Sequence, residues 1–248
     1  MIINRILKMP LLKMPLLRIG DKLMERNGRL VTIDLDIGDV QPRHLRLRLT
    51  PGTVVDQRLA PIGTWTHICT DPNIWDLHVY DGYSSSWGDL FMHTFDRISD
   101  EIIEVIDGDC TGVTDMFRSF YNCKNIRSVG PLYNTESIQN GQAMFACDAG
   151  GSIVHVSPFD TSGMAMFNYM FYKQSKLKEI PLLDTSNSGG VSYMYYGCVN
   201  VERGILAAYN EMISHGRVGN HYLTFHDCGI NTESGRAELA QIPDDWKS

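Results

Sequence analysis

Four residues near the end of the chain carry side chains that bind zinc in many proteins: His215, His221, His226 and Cys228. Imidazole nitrogen and thiolate sulfur are usual zinc ligands, and a structural site holds four of them in a tetrahedron. Their separations of six, five and two residues match none of the usual zinc-binding patterns. We therefore predict no bound metal and expect the histidines to cap turns or to face solvent.

A second group consists of tyrosines that directly follow another aromatic residue: Tyr121, Tyr172 and Tyr196. Adjacent residues do not all point into a core, so these three rings are expected near the surface. Because tyrosine joins an apolar ring to a polar hydroxyl, it suits wet interfaces. The three are candidate binding residues for a glycan or a protein. The alternative is that they only cover the flank of the neighbouring sequence repeat.

The usual catalytic motifs are missing from the sequence. It contains no G-x-x-x-x-G-K phosphate loop, no G-x-S-x-G nucleophile elbow and no C-x-x-C pair. A glycan hydrolase needs two carboxylates across a cleft, and the repeats offer no recurrent pair. We therefore predict a non-enzymatic protein with no catalytic residue and no cofactor.

Composition and charge place the chain among globular proteins with an acidic body. It has 248 residues, of which 43% are hydrophobic and 21% charged, and its net charge is −7. Residues 1–30 carry seven basic and two acidic side chains, which leaves a net −12 on the remaining 218 residues. An acidic body argues against nucleic-acid binding, and a basic N-terminal segment suits contact with an acidic partner.

Residues 1–19 are predicted to form an extended, basic and apolar N-terminal arm. The motif KMPLL occurs twice in tandem, and Pro10 and Pro15 exclude a regular helix. The charged and proline residues interrupt every apolar run, so neither a secretory signal nor a membrane span is predicted. The arm is expected to extend its leucines into the surface of a neighbouring protein. The alternative is a strand that pads the protein's own sheet.

Residues 20–100 are predicted to form a β-rich attachment or capping region. Asn27-Gly28 between alternating residues indicates a hairpin with a tight turn. Two further segments alternate with period two, which is typical of half-buried strands. Their inward residues are predicted to be Leu45, Leu47 and Leu49 in the first, and Trp75, Leu77 and Val79 in the second.

Residues 101–205 contain an internal repeat. Threonine recurs at intervals of 24, 26 and 24 residues, at Thr111, Thr135, Thr161 and Thr185. An aromatic residue recurs in step with it, at Phe120, Phe145, Phe171 and Tyr195. Repeats that cannot bury their apolar stripe alone do so by stacking. We predict an α+β fold containing a short solenoid of about four 24–26-residue units, each with a helical turn around Met-Phe and a short strand.

Residues 206–248 are predicted to be a C-terminal helical cap. The segment GILAAYNEMISHG has helical spacing and stops at Gly216, and SGRAELAQIPDDW adds a short helix before Pro243. Six cysteines are present, and a chain of this size folds without disulfides, so we expect reduced thiols.

The repeats resemble the BspA-like leucine-rich repeats of bacterial surface proteins. The likeness lies in VTDMFRSFYNCKNIRSVGPL, MAMFNYMFYKQSKLKEIPLLDTSN and VSYMYYGCVNVERG, which follow a Met-Phe-x-x-Cys turn and then Leu-x-x-Ile-Pro. It covers residues 101–205. Two units depart from the pattern, with Asp148 near the usual cysteine in one and Gln174 in its place in the other. The resemblance implies a leucine-rich-repeat protein for adhesion or protein contact, with no catalytic residues.

By analogy, repeats of this kind without an export signal suit a virion protein of a phage that infects gut Bacteroidota. We therefore expect a head-fibre, capsid-decoration or tail-associated subunit, located in the virion and displaying its repeats for assembly contacts or host-glycan adhesion. The N-terminal arm is then expected to bind other virion or surface proteins, and a homo-oligomer, for instance a trimer, is expected. The alternative is a bacterial cell-surface adhesin.

Overall fold

The structure is a computed structural model. It describes residues 17–19, 22–24, 30–32, 43–55, 63–67, 71–79, 86–88, 90–91, 98–216 and 219–248. The chain divides into two compact units, Met1–Gln41 and Pro42–Ser248, and each is described by itself. The boundaries predicted after residues 19, 100 and 205 stay predictions.

The first unit contains a three-stranded antiparallel sheet. Its strands are β1 (Leu17–Ile19), β2 (Lys22–Met24) and β3 (Leu30–Thr32), in that order. Strands β2 and β3 pair antiparallel, which confirms the predicted hairpin. Its register differs by one residue from the prediction, because a two-residue turn at Asn27-Gly28 would place Met24 opposite Val31, whereas Met24 lies opposite Leu30. Strand β1 comprises the last three residues of the predicted arm and pairs with β2. Residues 1–16, with their predicted partner contact, lie outside the described residues.

The second unit is built on a mixed, open sheet of seven strands. They are β4 (His44–Leu49), β5 (Gly63–His67), β6 (Ile74–Val79), β7 (Ile102–Asp109), β8 (Ser128–Val129), β9 (Leu132–Tyr133) and β10 (His155–Val156). The order is β10-β8-β7-β4-β6-β5, and β9 also pairs with β7. Strands β4 to β7 pair antiparallel with one another, whereas the repeat strands β8, β9 and β10 join in parallel.

The alternating pattern of β4 determines which face of the sheet is buried. Leu45, Leu47 and Leu49 are fully buried, as predicted from their spacing. Arg46 and Arg48 point to the other face and pair with carboxylates of the neighbouring strands β6 and β7. The leucine face therefore contributes the apolar packing, and the arginine face carries partly exposed ion pairs of small energetic weight.

The sequence repeats lie side by side, and each is hydrogen-bonded to the next. We number them copy 1 (111–134), copy 2 (135–160), copy 3 (161–184) and copy 4 (185–205). Parallel bridges join Asp115 to Asn140 and Asn140 to Met166. The amide of each core aromatic residue donates to the residue before the next core aromatic, at 2.9 Å from Phe120 to Met144, Phe145 to Met170 and Phe171 to Met194. This register places equivalent residues of successive copies against each other.

The core of the second unit contains a continuous stack of buried aromatic rings. Phe120, Phe145, Phe171 and Tyr195 follow one another with centroids 5.4–5.5 Å apart and planes within 19°. Phe91 precedes the stack at 5.4 Å, and Phe225 extends it at 5.7 Å, where Trp246 covers the last face at 6.1 Å. Offset ring pairs at these distances are favourable beyond their burial.

The predicted α+β leucine-rich-repeat solenoid with a helical cap is wrong. The regular secondary structure of the described residues is mostly strand, and seven of the strands form the mixed, open sheet above. Their two α-helices are short: α1 (Ile205–Ser214) and α2 (Glu233–Leu239). In addition, a 3₁₀ turn spans Asp244–Trp246.

The predicted helical turn around Met-Phe fails for a local reason. The residue two positions before each core aromatic has a left-handed backbone, with φ of 55° at Arg118, 54° at Ala143, 61° at Tyr169 and 59° at Tyr193. A left-handed residue interrupts a right-handed helix. Its amide then donates to the neighbouring copy, as from Ala143 to Asn168 at 2.9 Å, so the segment forms hydrogen-bonded turns.

The C-terminal region is not a helical cap, because the repeat resumes after α1. Asn220 pairs in parallel with Gly190, and the amide of Tyr195 donates to the carbonyl of Thr224 at 2.9 Å. Phe225 then occupies the core aromatic position. We call residues 220–228 copy 5. The interval from Tyr195 to Phe225 is 30 residues because α1 intervenes.

The described cysteines are free and buried: Cys110, Cys123, Cys147, Cys198 and Cys228. This confirms the expectation of reduced thiols for these five, and Cys69 lies outside the described residues. Burial raises the pKa of Cys198 to about 12, which makes it a poor nucleophile at neutral pH. Within the described ranges, no helix combines the length and apolar character needed to cross a bilayer.

Gln174 stands at the repeat position where copies 1, 4 and 5 have cysteine, and its buried amide is hydrogen-bonded. Its Nε2 donates to the carbonyl of Phe145, and its Oε1 accepts from the amide of Ile153 at 3.2 Å. In copy 4, Cys198 Sγ makes the equivalent contact with the carbonyl of Phe171 at 3.2 Å. The glutamine therefore keeps the cysteine's contact and also provides a partner for the amide of Ile153 in copy 2.

Gln174→Leu is expected to lower the free energy of unfolding by about 2 kcal/mol, because it leaves two buried backbone groups without a partner. Gln174→Cys, which restores the repeat's own residue, is expected to lose less. Urea denaturation of both variants measures the difference. A leucine variant as stable as wild type would show that these hydrogen bonds contribute nothing.

A column of threonine hydroxyls links the copies at their first residue. Thr135 Oγ1 donates to the carbonyl of Asp160 at 2.8 Å, and Thr161 Oγ1 to that of Asp184 at 2.9 Å. For Thr185 a carboxylate from α1 takes the place of the next carbonyl. Glu211 accepts from Thr185 Oγ1 at 2.6 Å and from its amide at 2.9 Å.

Glu211→Ala is therefore expected to destabilise the second unit by about 2 kcal/mol, because Thr185 is buried and would lose both partners. Glu202→Ala is the matched control, since the Glu202 carboxylate forms an exposed ion pair with Lys178 at 2.6 Å. Its effect should stay under about 1 kcal/mol. Thermal unfolding of the two variants tests this, and equal losses would refute the role given to Glu211.

Candidate recognition surface

Six aromatic side chains of copies 3, 4 and 5 form a cluster at the surface. We call them the tyrosine patch: Tyr169, Tyr172, Tyr193, Tyr196, Tyr222 and His226. Tyr169 is 36% exposed and Tyr222 is 50% exposed, whereas the other four are partly buried. All six lie within three residues of a core aromatic, so the buried ring stack positions the patch.

The register between copies arranges the patch in two columns. Residues two positions before the core aromatic form one column, in which Tyr169 and Tyr193 stack at 4.6 Å with planes 8° apart. Residues directly after the core aromatic form the other. There Tyr172 stacks on Tyr196 at 5.2 Å, and Tyr196 stacks on His226 at 4.8 Å.

Tyr193 lies at the centre of the patch. Its ring contacts four others, with centroids 4.6 Å from Tyr169, 5.5 Å from Tyr222, 5.8 Å from Tyr196 and 6.5 Å from Tyr172. Aromatic pairs of this kind contribute about 0.5–1.5 kcal/mol each. The rings hold one another in place, and a preorganised surface loses little side-chain entropy when a ligand binds.

Of the predicted binding residues, the structure brings Tyr172 and Tyr196 together and leaves Tyr121 apart. The hydroxyl of Tyr121 donates to Asp148, and the Arg118 guanidinium lies 5.0 Å above its ring. Ala146 holds the equivalent position in copy 2 and interrupts the column. Whether any of the three tyrosines binds a ligand stays a prediction.

Sequence reasoning missed Tyr169, Tyr193 and Tyr222. The first two carry a detectable signal, because both precede their core aromatic by two positions. Tyr222 has no such signal, since copy 5 was not recognised as a repeat.

The patch ends at copy 2, where small residues replace the tyrosines. Ala143 and Ala146 occupy the positions of the two columns there. On that side the Lys173 ammonium lies 5.1 Å above the Tyr172 ring and donates to the carbonyl of Asp148 at 3.4 Å. A cation therefore borders the patch next to copy 2.

Two tyrosines of the patch, Tyr169 and Tyr193, keep their hydroxyl protons at neutral pH. Burial, followed by the neighbouring tyrosines, raises the pKa of Tyr169 and of Tyr193. Outside the patch, burial and the hydrogen bond to Asp148 raise the pKa of Tyr121 to about 12. Tyr169 and Tyr193 therefore offer neutral hydroxyls that both donate and accept hydrogen bonds.

The four residues considered as zinc ligands have separate partners. They are His215, His221, His226 and Cys228. His215 Nε2 lies 2.9 Å from Glu211 Oε1, His221 stacks on Trp246 at 4.3 Å, and His226 Nδ1 donates to the carbonyl of Lys247 at 2.6 Å. Cys228 is fully buried, and burial raises its pKa well above the ordinary value. Each side chain is thus accounted for by packing or hydrogen bonding.

One group of metal-ligating side chains lies close together in the described part of the chain. Ligand atoms of Asp184, Glu211 and His215 are within 4.8 Å of one another. Both oxygens of Glu211 already accept hydrogen bonds from Thr185, and one of them also contacts His215. Asp184 Oδ1 accepts from the amide of Ser186 at 2.9 Å. These contacts explain the group as part of the junction between copy 4 and α1.

The fold and the patch together define a class: a non-helical repeat array with a buried aromatic stack and an aromatic surface. Residues 91–209, just under half of the chain, match a protein-family model described as Mycoplasma protein of unknown function, DUF285. This family is associated with BspA-like repeat proteins, which confirms the repeat resemblance at that level. Neither a curated protein nor a solved structure matches the chain.

Proposed function

We propose that the protein is a non-enzymatic recognition protein whose tyrosine patch binds a partner outside the chain. Rigid, partly exposed tyrosines are typical of binding surfaces, where they combine apolar contact with hydrogen bonding. The patch offers several such rings side by side, of which Tyr169 and Tyr222 are the most exposed.

A comparison of copies 2 and 3 carries this proposal. The alternative is that the tyrosines only cover the core. Copy 2 has Ala143 and Ala146 in their place, yet its core ring Phe145 is 0% exposed. Tyrosines at these positions are therefore not needed to bury the aromatic stack. Their presence in copies 3 and 4 is better explained by an external ligand.

The non-enzymatic part of the proposal rests on the chemistry of the same surface. Tyrosine hydroxyls with a raised pKa are weak bases and weak nucleophiles at neutral pH. They suit hydrogen bonding to a ligand more than proton transfer.

The first test asks whether the purified chain adheres at all. Labelled wild-type protein is titrated onto intact cells of gut Bacteroidota strains, and saturable binding to at least one strain is expected. Absence of saturable binding to every strain would count against host adhesion as the role of the patch.

The setting of the protein is a separate proposal. We infer a phage virion subunit of the head-fibre, capsid-decoration or tail-associated kind from the sequence analogy, and the other setting is the bacterial cell surface. Mass spectrometry of purified phage particles and of host envelope fractions separates the two. Detection in particles supports the virion setting, and detection in the envelope alone rules it out.

A further inference from the structure

One ring of the tyrosine patch has a different orientation from the others. Tyr222 meets Tyr193 at 78° with centroids 5.5 Å apart, whereas Tyr169 and Tyr193 are nearly parallel. In the second column the planes of Tyr172 and Tyr196 differ by 25°. Tyr222 is also the most exposed ring of the patch, at 50%.

This orientation changes what each ring offers to a ligand. Stacked rings cover the faces of their neighbours and leave edges and hydroxyls for solvent. The Tyr222 ring has no stacked partner among the described rings, since it meets Tyr193 at 78°, and the residue is 50% exposed, so one face of this ring is open to a ligand. Tyr222 is therefore a platform. Tyr193, which contacts it, offers a hydroxyl group, and Tyr169 offers a second one further along the column.

We propose that the patch binds a glycan, with the apolar face of one neutral pyranose ring stacked on Tyr222. Hydroxyls of Tyr169 and Tyr193 then hydrogen-bond to the polar edge of the bound sugar. This inference rests on the proposed recognition function and names its ligand class. A sugar fits because its ring has both an apolar face and hydroxyl edges, and the patch offers a partner for each.

Charge near Tyr222 selects against acidic sugars. Asp227 is 51% exposed and lies 3.5 Å from the patch residue His226. Asp245 is 67% exposed and lies 3.3 Å from His221, which precedes Tyr222 in the sequence. The body of the protein carries a net negative charge as well. Sialylated or uronic-acid glycans would meet like charge here, so a neutral sugar is the ligand class assigned.

The probe is a printed array of neutral and acidic oligosaccharides, followed by titration of the neutral glycan that binds best. Tyr222→Ala is expected to weaken binding at least about ten-fold, as for a residue at the centre of a binding site. Tyr222→Phe keeps the ring face and should stay within about three-fold of wild type, since an exposed hydroxyl contributes little. Unchanged binding by Tyr222→Ala, or preference for acidic glycans, would overturn the assignment.

A second experiment separates failure of the glycan assignment from failure of the recognition function. Cells that bind the protein are treated with periodate, which cleaves sugar diols, or with proteinase K. Loss of binding after periodate alone supports a glycan. Loss after proteinase K alone, together with loss in Tyr193→Ala, would mean a protein ligand on the same patch. Binding that survives Tyr193→Ala would contradict the recognition function itself.

Discussion

Phe145→Ala is expected to lower the free energy of unfolding of the second unit by about 3–5 kcal/mol. Phe145 is fully buried and stacks between Phe120 and Phe171 at 5.4 Å on each side. Its removal leaves a cavity in the middle of the stack and deprives both neighbours of a partner. The backbone hydrogen bonds between copies limit how far the site can collapse.

Urea denaturation, followed by far-ultraviolet circular dichroism, measures this loss. Phe145→Leu is the first control and should lose less, because it refills part of the volume. Tyr133→Ala is the second, since Tyr133 is 55% exposed and should change stability by less than about 1 kcal/mol. If Phe145→Ala were no more damaging than Tyr133→Ala, the aromatic stack would not be the core.

Tyr193→Ala is expected to weaken cell binding about 30-fold or more, in the range of an interface hot spot. The side chain contacts four of the other five patch rings, so its loss removes one hydroxyl and loosens the rings around it. Stability should fall by about 2 kcal/mol, the lower end of the range for four aromatic contacts, because the ring is only partly buried.

The fold is expected to tolerate this substitution because another copy of the repeat already has alanine at the equivalent position. Ala143 holds the equivalent position in copy 2, with the same left-handed backbone, φ 54° against 59° at Tyr193. Tyr133→Ala is again the matched control, an exposed tyrosine removed from outside the patch. A stable Tyr193→Ala protein with normal binding would show that the patch is not the binding surface.

The sequence predicted the parts of the fold that depend on simple periodicity. Leu45, Leu47 and Leu49 followed the period of a strand, and their burial confirms it. The repeated aromatic positions marked the core rings in copies 1 to 4. These predictions succeeded because buried positions carry apolar residues, and the spacing of apolar residues can be seen directly in the sequence.

The class of fold was predicted wrongly because the decisive feature is a backbone angle. Arg118, Ala143 and Tyr169 have positive φ, and none of these residue types favours that conformation. The pattern of apolar residues around Met-Phe predicts a helical turn. The pattern does not show that the residue two positions before the core aromatic has a positive φ. Copy 5 was missed because α1 lengthens its interval, so a search at 24–26 residues passes over Phe225.

The candidate site was predicted in part. Tyr172 and Tyr196 share a repeat position, and the structure stacks them. Tyr121 occupies the same position in copy 1 but lies two copies away, with Ala146 between them. The role proposed for Tyr222 as a platform depends on the angle between its ring and that of Tyr193. No sequence pattern predicts this angle.

The central claim is that the tyrosine patch, and not the rest of the surface, makes the external contact. Its most direct test is the dissociation constant of wild type, Tyr193→Ala and Tyr133→Ala for the strain of cells that wild type binds best. Thermal unfolding of each protein is recorded alongside to confirm that it is folded. We predict that Tyr133→Ala binds like wild type, while Tyr193→Ala binds about 30-fold more weakly or not at all. Equal dissociation constants for all three folded proteins would contradict the account.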